Sequence, residues 1–169
     1  MDYGLVFGAK GRQGLVVYVD SAYANSVRSC STTGFVFMIN RLPVCWNSRK
    51  QMVTAQSLTE AEYMAVLEAS KQAIWICHFL YSIGKEMVYN GTLMIIFEDN
   101  QDTIKLVDNP VNHLKTKHIA VCYHAIQEHI TNSKIQLEYL ATDQMVADSL
   151  TKATNHVTQE WLVDRLGLA

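Results

Sequence analysis

The chain has 169 residues, of which 49% are hydrophobic and 18% are charged, and its formal net charge is −2. These proportions exclude a disordered chain and are typical of one globular domain that can bury a sizeable core. The sequence contains no apolar run near the roughly 20 residues of a membrane span. Because the net charge is slightly negative, contact with nucleic acid would need local basic patches or bound cations.

The start of the chain and its cysteines favour an intracellular protein. Met1 is followed by Asp2, and the basic and apolar segments of a signal peptide are missing. The four cysteines show no paired spacing, which predicts reduced thiols rather than disulfides or metal ligands. We therefore expect no signal peptide and no association with a membrane.

The predicted elements begin after a glycine-rich lead-in at residues 1–14, and we expect residues 15–169 to form a single domain. Apolar and alternating runs predict three strands, which turns join into an antiparallel meander. These strands cover residues 15–20, 34–39 and 44–50.

A long helix follows the meander. Ser57 and Glu60 form a capping-box pattern at its start, and Gly84 is the expected C′ residue after its end. The residues at helical spacing that we expect to face the sheet are Leu58, Ala65, Ala69, Ala73, Ile76 and Leu80. Glu62 falls on the same face, where a carboxylate needs a partner or a metal because an unpaired buried charge is costly.

The second half of the chain begins with an apolar run at residues 93–97, which predicts a strand buried on both faces. The preceding helix serves as a crossover, so this strand should run parallel to the first one. The other predicted elements are helices at residues 100–107 and 119–130, an edge strand at 135–140, a helix that opens at Thr142 and carries Asp148, and an amphipathic segment at 157–166.

Two of the buried strands end in a carboxylate. Asp20 closes the first strand and Asp99 follows the fourth, so parallel pairing would place both acids at the same sheet edge. Ligands bind at that edge in open α/β sheets. The alternative for Asp99 alone is that it caps the following helix, since Asp is a favoured N-cap residue.

Four carboxylates would converge in this arrangement, because we expect Glu62 and Asp148 to lie near the starts of helices beside the same edge. Carboxylates so close repel one another unless cations neutralise them. Oxygen-only ligands select hard cations such as Mg²⁺. Two such ions would suit phosphodiester cleavage, since they activate water and stabilise the leaving oxygen.

Seven segments around and between the acids form a set that runs along nearly the whole chain after residue 14. They are residues 18–20, 31–37, 46–51, 59–65, 99–101, 116–119 and 147–152. In their residues and in their order, these segments resemble the ribonuclease H (RNase H) domain of copia-type LTR retrotransposon polyproteins. The resemblance implies an α/β, RNase H-like fold with a five-stranded mixed sheet of order 3-2-1-4-5 flanked by helices.

The resemblance also implies an activity, which is metal-dependent cleavage of the RNA strand of RNA–DNA hybrids during reverse transcription. The implied catalytic and metal-binding residues are Asp20, Glu62, Asp99 and Asp148, with two Mg²⁺ ions that Mn²⁺ can replace. The implied partners are the hybrid and the reverse transcriptase domain of the same polyprotein, without a small-molecule cofactor. We expect a cytoplasmic location in a virus-like particle, and a nuclear one as well.

Several residues near the predicted cleft keep two interpretations open. Asn100 and Gln101 are candidates either for capping the next helix or for contacting the minor groove of a hybrid. Lys117 is a candidate phosphate contact or a solvated surface charge, and the family match gives His118 a claim to substrate contact. The three tryptophans are interpreted as core anchors rather than base-stacking platforms, and they are Trp46, Trp75 and Trp161.

The chain departs from the family pattern at three positions. Ala22 stands where the family often has a second acid, and Ala120 and Cys122 stand where it usually has Asp and Arg. These departures keep an alternative function open, which is a catalytically weak or inactive nucleic-acid-binding or scaffold module of a reverse transcriptase or a domesticated element. Another nuclease or integrase of the same fold is a third possibility, since fold does not determine function.

Overall fold

The computed structural model describes residues 4, 14–25, 30–84, 94–108, 124–130, 132 and 135–168. Several predictions concern residues outside these ranges. They are most of the lead-in at residues 1–14, the first part of the helix predicted at 119–130, and the substrate contacts Lys117 and His118.

Five strands form one mixed sheet in the order β3-β2-β1-β4-β5. The strands are β1 (Leu15–Ala22), β2 (Thr32–Ile39), β3 (Leu42–Lys50), β4 (Met94–Glu98) and β5 (Ile135–Tyr139). β2 is antiparallel to β1 and β3, whereas β4 is parallel to β1 and β5. This confirms the predicted fold class and sheet order, and it places β1 and β4 side by side as the crossover required.

Four α-helices accompany the sheet in the described part of the chain. They are α1 (Leu58–Ser82), α2 (Gln101–Asp108), α3 (residues 124–130) and α4 (His156–Arg165). Ser57 Oγ accepts a hydrogen bond from the Glu60 N–H at 3.1 Å, so the predicted N-cap is confirmed. The Glu60 carboxylate accepts from the N–H of Gln56 at 2.8 Å, one residue before the position that a standard capping box uses.

The prediction of a continuous helix from Thr142 was wrong. Two 3₁₀ helices, Thr142–Gln144 and Val146–Leu150, take its place, and Met145 between them has extended backbone angles. Three consecutive apolar side chains, those of residues 145–147, are at most 4% exposed. The Met145 N–H donates to the Thr142 carbonyl and the Asp148 N–H donates to the Met145 carbonyl, and this spacing of three residues is that of a 3₁₀ helix.

The core lies on both faces of the sheet because successive strand residues point in opposite directions. On one face, Val17 and Val19 of β1 pack with Phe37 and the buried face of α1. On the other face, Val16 packs with Val146 and Leu162. β1 is therefore buried on both sides, as predicted, whereas β4 is fully buried on one face and half-buried on the other.

Most of the predicted inward face of α1 is buried, but Leu58 is 48% exposed. Leu58 lies in the first turn and lines an open cleft instead of packing on the sheet. Trp46 and Trp75 are 58% and 59% exposed, so the prediction that they anchor the core was wrong, while Trp161 packs against the smaller cluster. Among the residues described, none of the helices combines the length and apolar character that a membrane crossing requires.

Candidate metal centre

Three of the four predicted acids come together at the carboxyl ends of β1 and β4. Asp20 lies near the end of β1, Asp99 directly follows β4, and Glu62 projects from the second turn of α1. One carboxylate oxygen from each of the three lies within 4.8 Å of the others. Asp20 and Glu62 are only 1% and 3% exposed, so their carboxyl groups are largely removed from water.

Asp99 is not the cap of the helix that follows it. The side-chain oxygen of Asn100 accepts hydrogen bonds from the N–H groups of Asp102 and Thr103, at 3.0 and 3.1 Å. Asp99 Oδ2 instead accepts from Thr142 Oγ1 at 2.7 Å. Asn100 therefore caps α2, and the carboxylate of Asp99 remains available to bind a ligand in the cleft that it lines.

The three acids lie at one side of an open cleft of about 620 Å³. Gln101 lines the same cleft and is exposed at the start of α2. The other lining residues are Ser21, Ala22, Tyr23, Leu58, Asn100, Asp102, Lys105 and Lys152. The acids are thus accessible to a large ligand on one side and packed against the sheet on the other.

Asp148 lies outside the group of three and is connected to it through a lysine. Lys152 Nζ lies 3.1 Å from Asp20 Oδ1 and 2.9 Å from Asp148 Oδ1. Thr151 Oγ1 donates a hydrogen bond to Asp20 Oδ2. Neither Lys152 nor Thr151 was predicted as a site residue, although the four-residue spacing of Asp148 and Lys152 is a signal for such a pair.

Sequence reasoning also missed Glu98, which is 0% exposed at the end of β4. Its Oε1 accepts from the Asn100 N–H at 3.1 Å, and its Oε2 has no partner among the residues that the structure describes. Burial raises the pKa of Glu98 well above its ordinary value, although the hydrogen bond from Asn100 opposes the shift. Strand alternation was the available signal, since Met94, Ile96 and Glu98 share the buried face of β4.

Burial and mutual repulsion disfavour the charged forms of the acids at this site. Burial, followed by repulsion from Glu98, Asp20 and Asp99, raises the pKa of Glu62 to about 10. Burial also raises the pKa of Asp148 to about 6, against the hydrogen bond from Lys152. Burial alone would lower the pKa of Lys152, but its pairing with Asp148 and Asp20 raises it instead.

The residues present fit a hard divalent cation. All the donors are carboxylate oxygens, which is the set that Mg²⁺ and Mn²⁺ prefer. Glu62 Oε2 is buried and has no hydrogen-bond partner in the described part of the chain. A bound cation would satisfy this oxygen and relieve the repulsion that raises the pKa of Glu62.

In the presence of a chelator, we expect the free energy of unfolding to fall as the pH rises from about 4.5 towards 10. Glu62 keeps its proton in the folded state up to a pKa of about 10, whereas in the unfolded chain it releases it near 4.5. The folded state therefore binds more protons in this window, which is the condition under which stability decreases with pH. Urea unfolding at about pH 5, 7 and 9 measures the slope, which should be shallower in Glu62→Gln because glutamine does not titrate. An equal slope in both proteins would show that Glu62 is not responsible.

The comparisons with known proteins agree with this geometry. No protein-family model matches the chain. The retrovirus-related Pol polyprotein from transposon RE2 of Arabidopsis thaliana is 30% identical over 168 residues, which are 99% of this chain and 11% of that polyprotein. The Pol polyprotein from transposon TNT 1-94 of Nicotiana tabacum is 35% identical over 136 residues, which are 80% of this chain and 10% of that polyprotein. The chain belongs to the copia-type retrotransposon Pol family and corresponds to the RNase H domain of these polyproteins.

A solved structure supports the fold of this RNase H domain independently. LC11-RNase H1, isolated from compost, superposes with a TM-score of 0.57 at 15% sequence identity. The match covers 82% of this chain and 92% of that one. Because the domain spans only about a tenth of the curated relatives it matches, the relatives establish its family, and its own activity has to be argued from the site.

Proposed function

We propose that this RNase H domain is a metal-dependent endoribonuclease that cleaves the RNA strand of RNA–DNA hybrids during reverse transcription. The observation that carries the proposal is the group of three carboxylates within 4.8 Å of one another. They are Asp20, Glu62 and Asp99, and they lie beside an open cleft at the carboxyl edge of the sheet. A crowded acidic group at that edge is suited to cations and to a large anionic ligand.

Four residues would hold two Mg²⁺ ions, or Mn²⁺ in their place, and they are Asp20, Glu62, Asp99 and Asp148. When bound, the ions would lower the pKa of the attacking water and stabilise the leaving oxygen, so a separate general base is not required. The protein's own contribution is positioning. Thr142 Oγ1 orients Asp99, and Thr151 Oγ1 orients Asp20.

Four further residues are proposed to contact the hybrid, namely Asn100, Gln101, Lys117 and His118. Gln101 is the best supported of them because it is exposed in the cleft. The Asn100 side-chain oxygen is engaged in capping α2, which leaves its amide N–H groups as the donors for a substrate. Lys117 rests on its positive charge, which suits a phosphate contact, and His118 rests on the family match alone.

The remaining proposals concern the setting of the domain. We propose that residues 15–169 act as one unit and that the partner is the reverse transcriptase domain of the same polyprotein. We also propose a location in the cytoplasm within a virus-like particle, and in the nucleus, with no membrane contact and no small-molecule cofactor. Family membership supports these proposals, since the matched relatives are Pol polyproteins.

A labelled RNA–DNA hybrid, incubated with the protein and Mg²⁺, Mn²⁺ or a chelator, tests the activity. We expect RNA fragments with either metal, none with the chelator, and little cleavage of single-stranded RNA or duplex DNA. The second candidate is a module that binds nucleic acid without cutting it, and the Lys152 amine between Asp20 and Asp148 is the observation in its favour. Binding of the hybrid without any cut product would favour this candidate, and equal cleavage of duplex DNA would indicate another nuclease.

A further inference from the structure

Lys152 differs from the other paired lysines of the described chain in what it contacts. Lys71 and Lys105 pair with Glu68 and Asp102, whose side chains are 33% and 78% exposed. Lys152 pairs with Asp20, whose side chain is only 1% exposed, and at the same time with Asp148. Its ammonium group therefore occupies the space between two acids that are proposed to bind metal.

The backbone holds Lys152 in this position. The N–H groups of Thr151 and Lys152 both donate to the Asp148 carbonyl, at 3.1 and 2.9 Å, which puts the amine and the Asp148 carboxylate on one side of a tight turn. The turn is attached to the sheet, because Asn25 Nδ2 donates to the Thr151 carbonyl at 3.1 Å and Thr151 Oγ1 donates to Asp20. The contact between Lys152 and Asp20 is thus a consequence of the fold rather than of a chance encounter between surface charges.

We propose that the Lys152 ammonium group and a divalent cation compete for the carboxylates of Asp20 and Asp148. The inference rests on the proposed function, since it takes both acids as metal ligands. Two cations cannot occupy the same space about 3 Å from the same oxygens, because their mutual repulsion is too large. The amine must leave before a divalent ion binds there, and with 44% of its side chain exposed it can turn into solvent.

The competition should give the two ions of the centre unequal affinities. Among the described residues, Lys152 forms ion pairs with Asp20 and Asp148 and none with Glu62 or Asp99. A cation held by Asp20, Glu62 and Asp99 competes with the lysine at Asp20 alone, whereas a cation held by Asp20 and Asp148 competes with both lysine contacts. We infer that one divalent ion binds tightly and a second binds more weakly, at the cost of the lysine contacts.

Binding of Mn²⁺ to the metal-stripped protein tests the proposal without using activity. Calorimetry gives both affinities, and electron paramagnetic resonance counts the bound ions. In Lys152→Gln, we expect the weaker site to tighten by about three- to tenfold, the change that removal of one competing, half-exposed charge produces. Lys152→Arg should retain the parental affinities because it keeps the charge, and Lys71→Gln should do so because it lies outside the centre. An unchanged or weaker second site in Lys152→Gln, or a single bound ion in every variant, would overturn the proposal.

A measurement on the unmodified protein covers the case in which Lys152→Gln does not fold. Acetylation of Lys152, followed by mass spectrometry, should increase severalfold when Mn²⁺ is added, while acetylation of Lys71 stays constant. Unchanged labelling of Lys152 at saturating Mn²⁺ would overturn the proposal. The proposed function fails separately: two ions with the expected affinities but no hybrid cleavage refute the nuclease and support the competition. Hybrid cleavage together with an unchanged affinity of the second site in Lys152→Gln supports the nuclease and refutes the competition.

Discussion

Asp99→Asn is expected to reduce Mg²⁺-dependent cleavage of an RNA–DNA hybrid by at least about a hundredfold while leaving the fold intact. Loss of one charged ligand removes roughly 3 kcal/mol of transition-state stabilisation, which corresponds to that factor. The fold should survive because Asp99 is half-exposed, and asparagine keeps an oxygen for the hydrogen bond from Thr142. Initial rates on a labelled hybrid, with circular dichroism and thermal unfolding as checks on folding, measure the effect.

The matched control for this variant is Asp108→Asn. Asp108 is an exposed acid at the last position of α2, and it is absent from the residues that line the cleft. The Asp108→Asn variant loses one negative charge, as Asp99→Asn does, but leaves the proposed metal ligands unchanged. Its cleavage rate should therefore equal the parental rate. Parental activity in Asp99→Asn would show that Asp99 is not a ligand, and an equal loss in Asp108→Asn would show that the effect comes from the lost charge and not from the site.

Gly34→Ala is expected to destabilise the protein by about 1–3 kcal/mol and to reduce cleavage by about tenfold or more. Gly34 lies opposite Asp20 in the β1–β2 register. A Cβ at this position would meet Thr151 Cγ2 at 2.6 Å and Leu150 Cβ at 2.8 Å. The turn that carries Asp148 and Lys152 must then move away from the sheet, which separates both residues from Asp20. Urea unfolding and hybrid cleavage measure the two effects.

Two further variants separate stability from geometry. Gly84→Ala places a Cβ in open space at a φ of +67°, so it should cost about 1–2 kcal/mol of strain without changing cleavage. Adding Thr151→Ser to Gly34→Ala removes the Cγ2 clash and keeps the hydroxyl that binds Asp20, so it should restore part of the lost activity. If Gly34→Ala cleaves at the parental rate, the close approach at Gly34 does not position the site.

Two of the predictions that succeeded depend on short stretches of the chain alone. The Ser57 cap is a contact between residues three apart, and the apolar run before Asp20 needs only its own composition to be recognised as a buried strand. The predictions that failed needed information about distant packing. Trp46 and Trp75 are large and apolar, yet whether another element covers them depends on the whole fold, and both are more than half exposed.

The full sheet order was implied by the family resemblance, whereas sequence patterns by themselves determined the parallel pairing of the first and fourth strands, the neighbouring positions of Asp20 and Asp99, and the inward face that carries Glu62. Apolar runs, helical spacing and the handedness of crossovers suffice for these, because they act locally or follow from chain connectivity. Only the tertiary structure decided that Asn100 rather than Asp99 caps α2, that Glu98 is buried behind the acids, and that Lys152 contacts Asp20. The last contact joins residues 132 positions apart, and its formation depends on how a 3₁₀ turn packs against Gly34, which no local pattern encodes.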